Sequence, residues 1–170
     1  MTALVVLAHP RPESFVSAVF ESAQRGLRAG GATAEIADLY ADKYQPGTAL
    51  PAAHRVALDK ASALVLVYPT WWTSQPAILL GWLYASATEG LASVKSLVCI
   101  TTHGGPRIGN LVAGQSGRHT AARTVRATCA PGASFHWVAY YGMDKNLNDE
   151  RVAFLQRVER EMRKLALLAP

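Results

Sequence analysis

The chain has 170 residues, of which 50% are hydrophobic and 17% charged, and this predicts one domain over residues 1–170 with a large core. The net charge is +5, but the basic residues are scattered, so small anions are favoured as ligands and nucleic acid is not. No apolar run reaches the roughly 20 residues of a membrane span. Cys99 and Cys129 form no disulfide framework and no signal peptide is evident, so we expect a cytoplasmic protein.

The beginning of the chain reads as strand, helix and strand. Residues 3–8 are a continuous apolar run, and residues 9–14 form a polar turn with two prolines. Ser14 is placed to cap a helix that has one apolar stripe and ends at a Gly-Gly pair. Residues 33–38 predict a shorter strand nearer the sheet edge. Such a βαβ unit requires a parallel sheet with a right-handed crossover.

The strongest pattern lies in the middle of the chain, after a polar loop and a short helix over residues 52–60. Residues 63–68 are apolar and rich in β-formers, as in a strand buried on both faces of a parallel sheet. Pro69 is predicted to end the strand, and Trp71 and Trp72 follow in a short loop. Two adjacent tryptophans cannot both point into one core. Either they form a wall of a site for a flat ligand, or one packs on the core and the other covers a neighbouring subunit.

The helix predicted over residues 77–87 is apolar nearly all round, which is typical of a helix buried on two sides. We expect another subunit on its second side. The remaining predicted elements are a strand over 96–101, a Gly-rich loop over 102–110, helical residues over 116–130, a strand over 134–141, and a last helix capped by Asn148.

Five strands alternating with about five helices predict an α/β three-layer sandwich with one five-stranded parallel sheet. The spacing favours strand order 2-1-3-4-5 over a six-stranded dinucleotide-binding sheet. In that order the first, third and fourth strands are neighbours around the switch point, where open α/β sheets bind ligands.

The three loops of unusual composition follow these three strands, at residues 9–14, 69–75 and 102–110. The first leads into a helix N-terminus, which can hold a phosphate, and Ser14 and His9 can add hydrogen bonds. The second supplies an aromatic surface and backbone amides. The third supplies adjacent glycines that let the backbone approach a ligand closely. A phosphate grip, a flat apolar wall and close amides together predict a flavin mononucleotide (FMN) site.

Each of these residues also has a purely structural interpretation. Ser14 can be an ordinary helix cap, His9 can satisfy its own turn, and Gly104 with Gly105 can form only a turn. The sequence contains neither a Gly-x-Gly-x-x-Gly after the first strand nor a P-loop, and no nucleophile elbow. No His/Cys cluster has metal-ligand spacing, so a metal site is not predicted.

Four segments together resemble a known family. They are Val-Leu-Ala-His-Pro-Arg-Pro-Glu-Ser-Phe at 6–15, Asp-Leu-Tyr at 38–40, Tyr-Pro-Thr-Trp-Trp-Thr-Ser-Gln-Pro-Ala at 68–77 with Gly81-Trp82, and Thr-Thr-His-Gly-Gly at 101–105. They occur in the order found in the NAD(P)H dehydrogenase (quinone) family of flavodoxin-like flavoproteins, and the chain is short like the bacterial members that use FMN. The resemblance implies a flavodoxin-like fold.

The resemblance also implies roles for single residues. The residues matching positions on the flavin phosphate side are His9, Ser14 and Phe15. Those matching the segment along the isoalloxazine are Pro69, Thr70, Trp71 and Trp72. Those matching the loop at the pyrimidine edge are Thr102, His103, Gly104 and Gly105. The family implies FMN, with FAD as the alternative cofactor, NAD(P)H as electron donor, and a homodimer with its sites at the interface.

The chain departs from the family at two places. The large quinone reductases carry a Tyr and a His after their Gly-Gly, and here Asn110 and Ser116 align about there, so that pair is absent. His119 is nearby in the sequence, and any acid–base help is predicted to come from His103. Leu80 stands where many relatives have Lys.

The predicted function is a flavin-dependent NAD(P)H:quinone oxidoreductase that transfers hydride through flavin N5 in a ping-pong reaction. Two other classes stay open. One is a non-enzymatic electron carrier of flavodoxin type, against which the net charge of +5 argues because flavodoxins are usually acidic. The other is an ancillary regulatory subunit, peripheral to a membrane transporter, with secondary reductase activity.

Overall fold

One parallel five-stranded sheet, in the order β2-β1-β3-β4-β5, organises the computed structural model, which describes residues 1–144 and 148–168. The strands are β1 (Thr2–Leu7), β2 (Thr33–Asp38), β3 (Ala63–Pro69), β4 (Ser96–Thr102) and β5 (Ser134–Tyr140). The helices are α1 (Phe15–Ala29), α2 (Ala52–Lys60), α3 (Ala77–Glu89), α4 (Arg107–Val112), α5 (Ser116–His119) with a π-helical continuation over Thr120–Val125, and α6 (Asn148–Leu168). The predicted flavodoxin-like fold and strand order are confirmed. The single-domain organisation stays a prediction.

The core has two layers because the central strand is apolar on both faces. All seven residues of β3 are buried, as the continuous apolar run predicts. One face of the sheet packs against α1 and α6 through residues such as Val65 and Val67. The other face packs against α2, α3 and the π-helical segment through residues such as Leu64 and Leu66. The helices thus cover both faces and leave the carboxyl edge of the strands open to ligands.

Strand register brings the three predicted loops to one edge of the sheet. Leu7 of β1 pairs with Val67 of β3, and Val67 pairs with Ile100 of β4. The Ala8 N–H also donates to the Val67 carbonyl over 3.0 Å. The three strands therefore end side by side, and the loops that follow them are neighbours.

Several predicted boundaries were wrong. Pro69 ends β3 as predicted, but it is itself the last strand residue and pairs with Thr102, so the strand is one residue longer than the apolar run. The last residues of the predicted 102–110 loop begin α4 at Arg107, directly after a proline that suits a helix start. Asn148 is the first helical residue of α6, and the cap position before it lies outside the described residues.

Helix α3 is anchored on one side by a buried polar contact. The Trp82 indole N–H donates to His54 Nδ1 over 3.2 Å, and His54 Nε2 lies 2.9 Å from Asp42 Oδ2. The indole donor fixes the imidazole proton on Nε2, so His54 donates to Asp42. On its other side α3 presents Leu80 and Tyr84 to solvent. This outer face is the one that the sequence predicts another subunit to cover, and that contact stays a prediction.

None of the helices within residues 1–144 and 148–168 combines the length and the hydropathy needed to cross a bilayer.

Candidate functional site

Two of the three predicted loops line one cleft at the carboxyl ends of β3 and β4. Its volume is about 260 Å³. The lining residues are Thr70, Trp72, Thr73, His103, Gly104, Gly105, Pro106, Gly109 and Asn110. The structure thus brings together five of the predicted site residues, namely Thr70, Trp72, His103, Gly104 and Gly105. The loop over 9–14 ends at the same edge of the sheet but does not line this cleft.

The tryptophan loop contains a strained turn. Trp71 and Ser74 exchange two backbone hydrogen bonds of 3.0 Å, and the two residues between them, Trp72 and Thr73, have φ of 49° and 63°. Positive φ at both central positions defines a type I′ turn, which normally takes Asn-Gly or Gly-Gly. Bulky and β-branched residues in this region are costly, and such strain clusters at functional sites.

The strained turn is held in place from the outside by α5. The Gly117 N–H donates to the Thr73 carbonyl over 2.8 Å, and the buried Gln75 side chain donates to the Gly117 carbonyl over 2.8 Å. A β-carbon at Gly117 would lie 3.1 Å from both Ser74 Cα and the Thr73 oxygen, so glycine permits this close approach. Nothing in the residues of the turn indicates this support, because α5 is distant in the chain.

Neither tryptophan of this loop lies in the core. Trp71 is 44% exposed and Trp72 is 98% exposed. The interpretation in which one of them packs on the core is therefore wrong. A tryptophan held outward by a strained turn beside a cleft can stack on a flat ligand or on a second subunit.

Free backbone donors point to the kind of ligand that the cleft can take. Within the described residues, no acceptor takes the N–H groups of Trp72, Thr73, Gly104 or Gly105. All four residues line the cleft. Four donors beside an exposed indole suit a flat heteroaromatic ligand that carries carbonyl oxygens and ring nitrogens.

His103 occupies the inner wall of the cleft and is only 5% exposed. Its Nδ1 lies 2.8 Å from Asn110 Oδ1, and its Nε2 lies 3.4 Å from Thr70 Oγ1. Thr70 Oγ1 in turn lies 2.7 Å from Thr101 Oγ1. Burial lowers the pKa of His103 from its usual 6.5, and the contact with Asn110 offsets part of this shift. The imidazole is thus held neutral near neutral pH.

A fourth loop, after β5, packs against the residues of the cleft wall, and sequence reasoning missed it. The Tyr141 ring stacks on the His103 ring at a centroid distance of 4.4 Å and an angle of 22°. The Gly142 N–H donates to the Gly105 carbonyl, and the Met143 N–H donates to the His103 carbonyl. An aromatic residue at the end of the last predicted strand was the available signal, since β5 lies next to β4.

The two glycines of the third loop have different surroundings. Neither Gly104 nor Gly105 has a positive φ, so neither is required by a left-handed backbone. A β-carbon at Gly104 would lie 2.6 Å from Asp144 Oδ2, whereas the nearest atom at Gly105 would be Asn110 Nδ2 at 3.8 Å. The absence of a side chain at Gly104 lets Asp144 of the loop after β5 pack against it. At Gly105 it leaves open space beside the cleft.

The residues predicted for the phosphate side are engaged in local structure. The Arg11 N–H donates to His9 Nδ1 over 3.1 Å, and the Ser17 N–H donates to Ser14 Oγ over 3.1 Å. Ser14 is therefore the cap of α1, as predicted. The Phe15 ring packs against Tyr140 at 5.5 Å, so its side chain belongs to the core beside β5. The first-turn N–H groups of α1, including that of Phe15, remain the means by which this loop could bind an anion.

The last predicted site residues, Pro69 and Thr102, are buried ends of β3 and β4. The Thr102 hydroxyl has no hydrogen-bond partner among the described residues. The side chain of Thr102 lies on the same face of β4 as those of Val98 and Ile100, which pack on the face covered by α1 and α6. An orphaned buried hydroxyl is costly unless a ligand completes it.

No group of three or more His, Cys, Asp or Glu side chains that could hold a metal ion occurs within the described part of the chain. Cys99 is fully buried in β4, and burial raises the pKa of its thiol to about 12. The predicted inert character of Cys99 agrees with both observations.

A doubly wound sheet of order 2-1-3-4-5 with a ligand-sized cleft at its switch point is the architecture of a flavodoxin-like protein. The profile of the Flavodoxin_2 family, described by its flavodoxin-like fold, matches residues 1–159. The chain belongs to this family, and the resemblance noted in the sequence is confirmed. A search of curated proteins found no match.

Solved structures of similar fold come from several organisms. An NAD(P)H:quinone oxidoreductase from Methanothermobacter marburgensis superposes with a TM-score of 0.83 at 24% identity, over 97% of this chain and 96% of that chain. Smu.1420 from Streptococcus mutans UA159 superposes with a TM-score of 0.80 at 23% identity, over 96% of this chain and 100% of that chain. An FMN-dependent NADH-azoreductase from Bacillus anthracis str. Ames Ancestor, in complex with FMN, superposes with a TM-score of 0.67 at 16% identity. The match covers 97% of this chain and 99% of that chain. These likenesses describe the fold.

Proposed function

We propose that this protein is a flavin-dependent NAD(P)H:quinone oxidoreductase. The observation that carries the proposal is the cleft at the switch point, where four free N–H groups lie beside an exposed tryptophan. The names of similar structures support the class, since they include an NAD(P)H:quinone oxidoreductase and an FMN-dependent azoreductase. The acceptor is a quinone or a similar small aromatic molecule.

The residues present fit FMN, which is the proposed cofactor, with FAD as the alternative. Trp72 would stack along the ring system, and the N–H groups of Gly104 and Gly105 would meet its polar edge. The orphaned Thr102 hydroxyl and the first turn of α1 are the groups available to the phosphate side. A bound flavin supplies the hydride chemistry by accepting hydride from NAD(P)H at N5 and giving it to the acceptor.

The protein's own residues would bind and orient the flavin and move the proton that the reaction needs. The strained turn fixes the backbone at Trp72 and leaves its indole exposed beside the cleft, where a flat ligand can reach it. Donor and acceptor would use the same open side of the cleft in turn, which gives a ping-pong reaction. His103 would move the proton that accompanies hydride transfer to a quinone, because it is the titratable side chain on the cleft wall.

A second copy of the chain is proposed to cover the mouth of the site. Large apolar side chains are exposed on the tryptophan loop, α3 and α4: Trp71, Trp72, Leu80, Tyr84, Ile108, Leu111 and Val112. Exposed apolar surface of this extent marks interaction sites. A homodimer would bury it and enclose the cleft. The cytoplasm is the proposed location, because two free buried cysteines suit a reducing compartment.

Cofactor binding can be tested by titrating FMN into the purified protein and following the quenching of flavin fluorescence. Loss of stacking in Trp72→Ala should weaken FMN binding about tenfold or more, because an aromatic stack of this kind contributes about 1–3 kcal/mol. Ile36→Ala is the matched control, since Ile36 is an exposed apolar residue on β2 and does not line the cleft. Equal FMN affinity in Trp72→Ala and Ile36→Ala would contradict the proposed flavin wall.

A further inference from the structure

We propose that His103 and Thr70 form a proton path into the cleft, and that Asn110 is the positioning residue that fixes the proton on His103 Nδ1. The path supplies the proton for quinone reduction and sets the pH range of that step. This inference rests on the proposed function. It assigns roles to Asn110 and Thr70 that the sequence did not indicate.

Asn110 is itself oriented by two backbone acceptors. Its Nδ2 donates to the Pro106 carbonyl over 3.1 Å and lies 3.4 Å from the Gly105 carbonyl. These contacts direct Oδ1 toward His103, 2.8 Å from Nδ1. An amide oxygen can only accept, so Nδ1 carries the proton and Nε2 carries the lone pair.

The lone pair on Nε2 faces the hydroxyl of Thr70, a half-buried residue that lines the cleft. Thr70 Oγ1 lies 3.4 Å from Nε2, and both residues line the cleft. Thr101 Oγ1, 2.7 Å from Thr70 Oγ1, is fully buried and holds that hydroxyl in place from behind. A proton that arrives at Nε2 therefore has one described neighbour to pass to, and that neighbour is on the ligand side.

The surroundings of His103 favour the neutral ring. Tyr141 stacks on one face at 4.4 Å, and the Trp137 ring lies 6.2 Å away. The charged group that the fourth loop brings near is Asp144, whose carboxylate packs against Gly104. The contacts of His103 with β3, β4 and α4 are to Thr70, which hydrogen-bonds Thr101, and to Asn110, all of them uncharged. Protonation of His103 is thus costly, and the pKa of the imidazole lies below its usual 6.5.

The proton balance of the step is simple. A quinone that has gained a hydride carries one negative charge on oxygen and needs one proton to leave as the hydroquinone. The imidazolium form of His103 gives the Nε2 proton to Thr70 Oγ1, and the Thr70 hydroxyl proton passes to the quinone oxygen. One N–H bond breaks and one O–H bond forms. After the hydroquinone leaves, a proton from solvent in the open cleft returns through the Thr70 hydroxyl to Nε2. Quinone reduction should therefore slow as pH rises through the pKa of His103.

The path predicts a specific response to Asn110→Asp. A carboxylate on Nδ1 favours the imidazolium, so the pKa of His103 should rise by about one unit or more. The fall of the quinone-reduction rate should move to higher pH by the same amount. In Asn110→Ala the proton on Nδ1 loses its acceptor, and the two tautomers should mix. Gln45→Glu is the matched control, because it adds the same charge on an exposed loop outside the cleft.

Two independent measurements test the path: nitrogen NMR of His103 and the pH profile of quinone reduction. Nitrogen NMR of the imidazoles in flavin-free protein should show the Nδ1–H tautomer of His103 in the wild type and a raised pKa in Asn110→Asp. An Nε2–H tautomer in the wild type would overturn the path. So would a pKa that rises in Asn110→Asp while the pH profile of quinone reduction stays in place. Failure to bind any flavin would instead overturn the proposed function, and the NMR result would then describe only a structural pair.

Discussion

Burial decides the chemistry of the titratable side chains near this site. Cys99 lies in the middle of β4 and His103 follows directly after that strand, and both side chains are buried away from water. Desolvation penalises the charged form of each, so the pKa of His103 falls and that of Cys99 rises. Their residue types could be located in the sequence, but these shifts depend on neighbours, such as Asn110 and Tyr141, that only the fold supplies.

The lowered pKa of His103 makes stability depend on pH. The unfolded chain binds a proton near pH 6.5 and the folded protein only at lower pH, so this contribution is complete above pH 6.5 and is lost as pH falls through the folded pKa. In His103→Gln, the loss of unfolding free energy between pH 7.5 and 5.5, measured by urea denaturation, should be smaller than in the wild type. Equal losses in the two proteins would contradict a depressed pKa.

The high pKa of Cys99 predicts an unreactive thiol. Cys129 is also buried with a raised pKa, and the thiolate is the reactive form. At pH 8 a thiol reagent should label neither cysteine in the native protein within minutes, and both cysteines after unfolding in urea. Rapid labelling of Cys99 in the native state would show that β4 opens to solvent.

At the scale of elements, the least predictable part is the turn between β3 and α3. The strand, the helix and the tryptophans between them were all recognisable from residues 63–87. The type I′ geometry was not, because the pair Trp72 and Thr73 is a poor match for such a turn. Distant groups on α5 impose the conformation through Gly117. Local sequence fails here because tertiary contacts override local preference.

Relieving this strain should stabilise the protein. Thr73→Gly removes a β-branched side chain from the left-handed region, which costs about 1–2 kcal/mol for a non-glycine residue. It also removes the 3.0 Å contact between Thr73 Oγ1 and Ser116 Oγ, so Thr73→Ala is the matched control. We expect the free energy of unfolding, measured by urea titration, to be about 1 kcal/mol higher for Thr73→Gly than for Thr73→Ala. Equal stabilities would mean that the turn is unstrained.

At the scale of the whole molecule, the apolar pattern alone was enough to predict the sheet and its order. Uninterrupted runs such as residues 63–68 leave few alternatives to a buried parallel strand. Three strand ends at the switch point then located the candidate site. The sequence could not predict that the 9–14 loop stays outside the cleft, or that the loop after β5 supports His103 and Gly105. Those outcomes depend on side-chain packing, such as Phe15 against Tyr140.

The outer face of α3 bears on assembly. Leu80 and Tyr84 are exposed apolar residues, and Tyr84 is 74% exposed. A double change of Leu80 and Tyr84 to Glu should convert the proposed dimer to a monomer in sedimentation velocity, since like charges would meet across a two-fold interface. Val152→Glu, at an exposed apolar site on α6, should leave the dimer intact. A wild-type protein that sediments as a monomer at micromolar concentration would contradict the proposed assembly.

The central claim is that the cleft at the carboxyl ends of β3 and β4 holds a flavin that exchanges hydride with NAD(P)H. The most direct test is the visible absorbance spectrum of the purified, desalted protein, with FMN supplied if needed, followed by anaerobic addition of NADPH or NADH and then of a quinone. We predict a yellow protein that bleaches with the nicotinamide and regains its colour with the quinone. A colourless protein that binds neither FMN nor FAD, or a yellow protein that neither nicotinamide reduces, would contradict the claim.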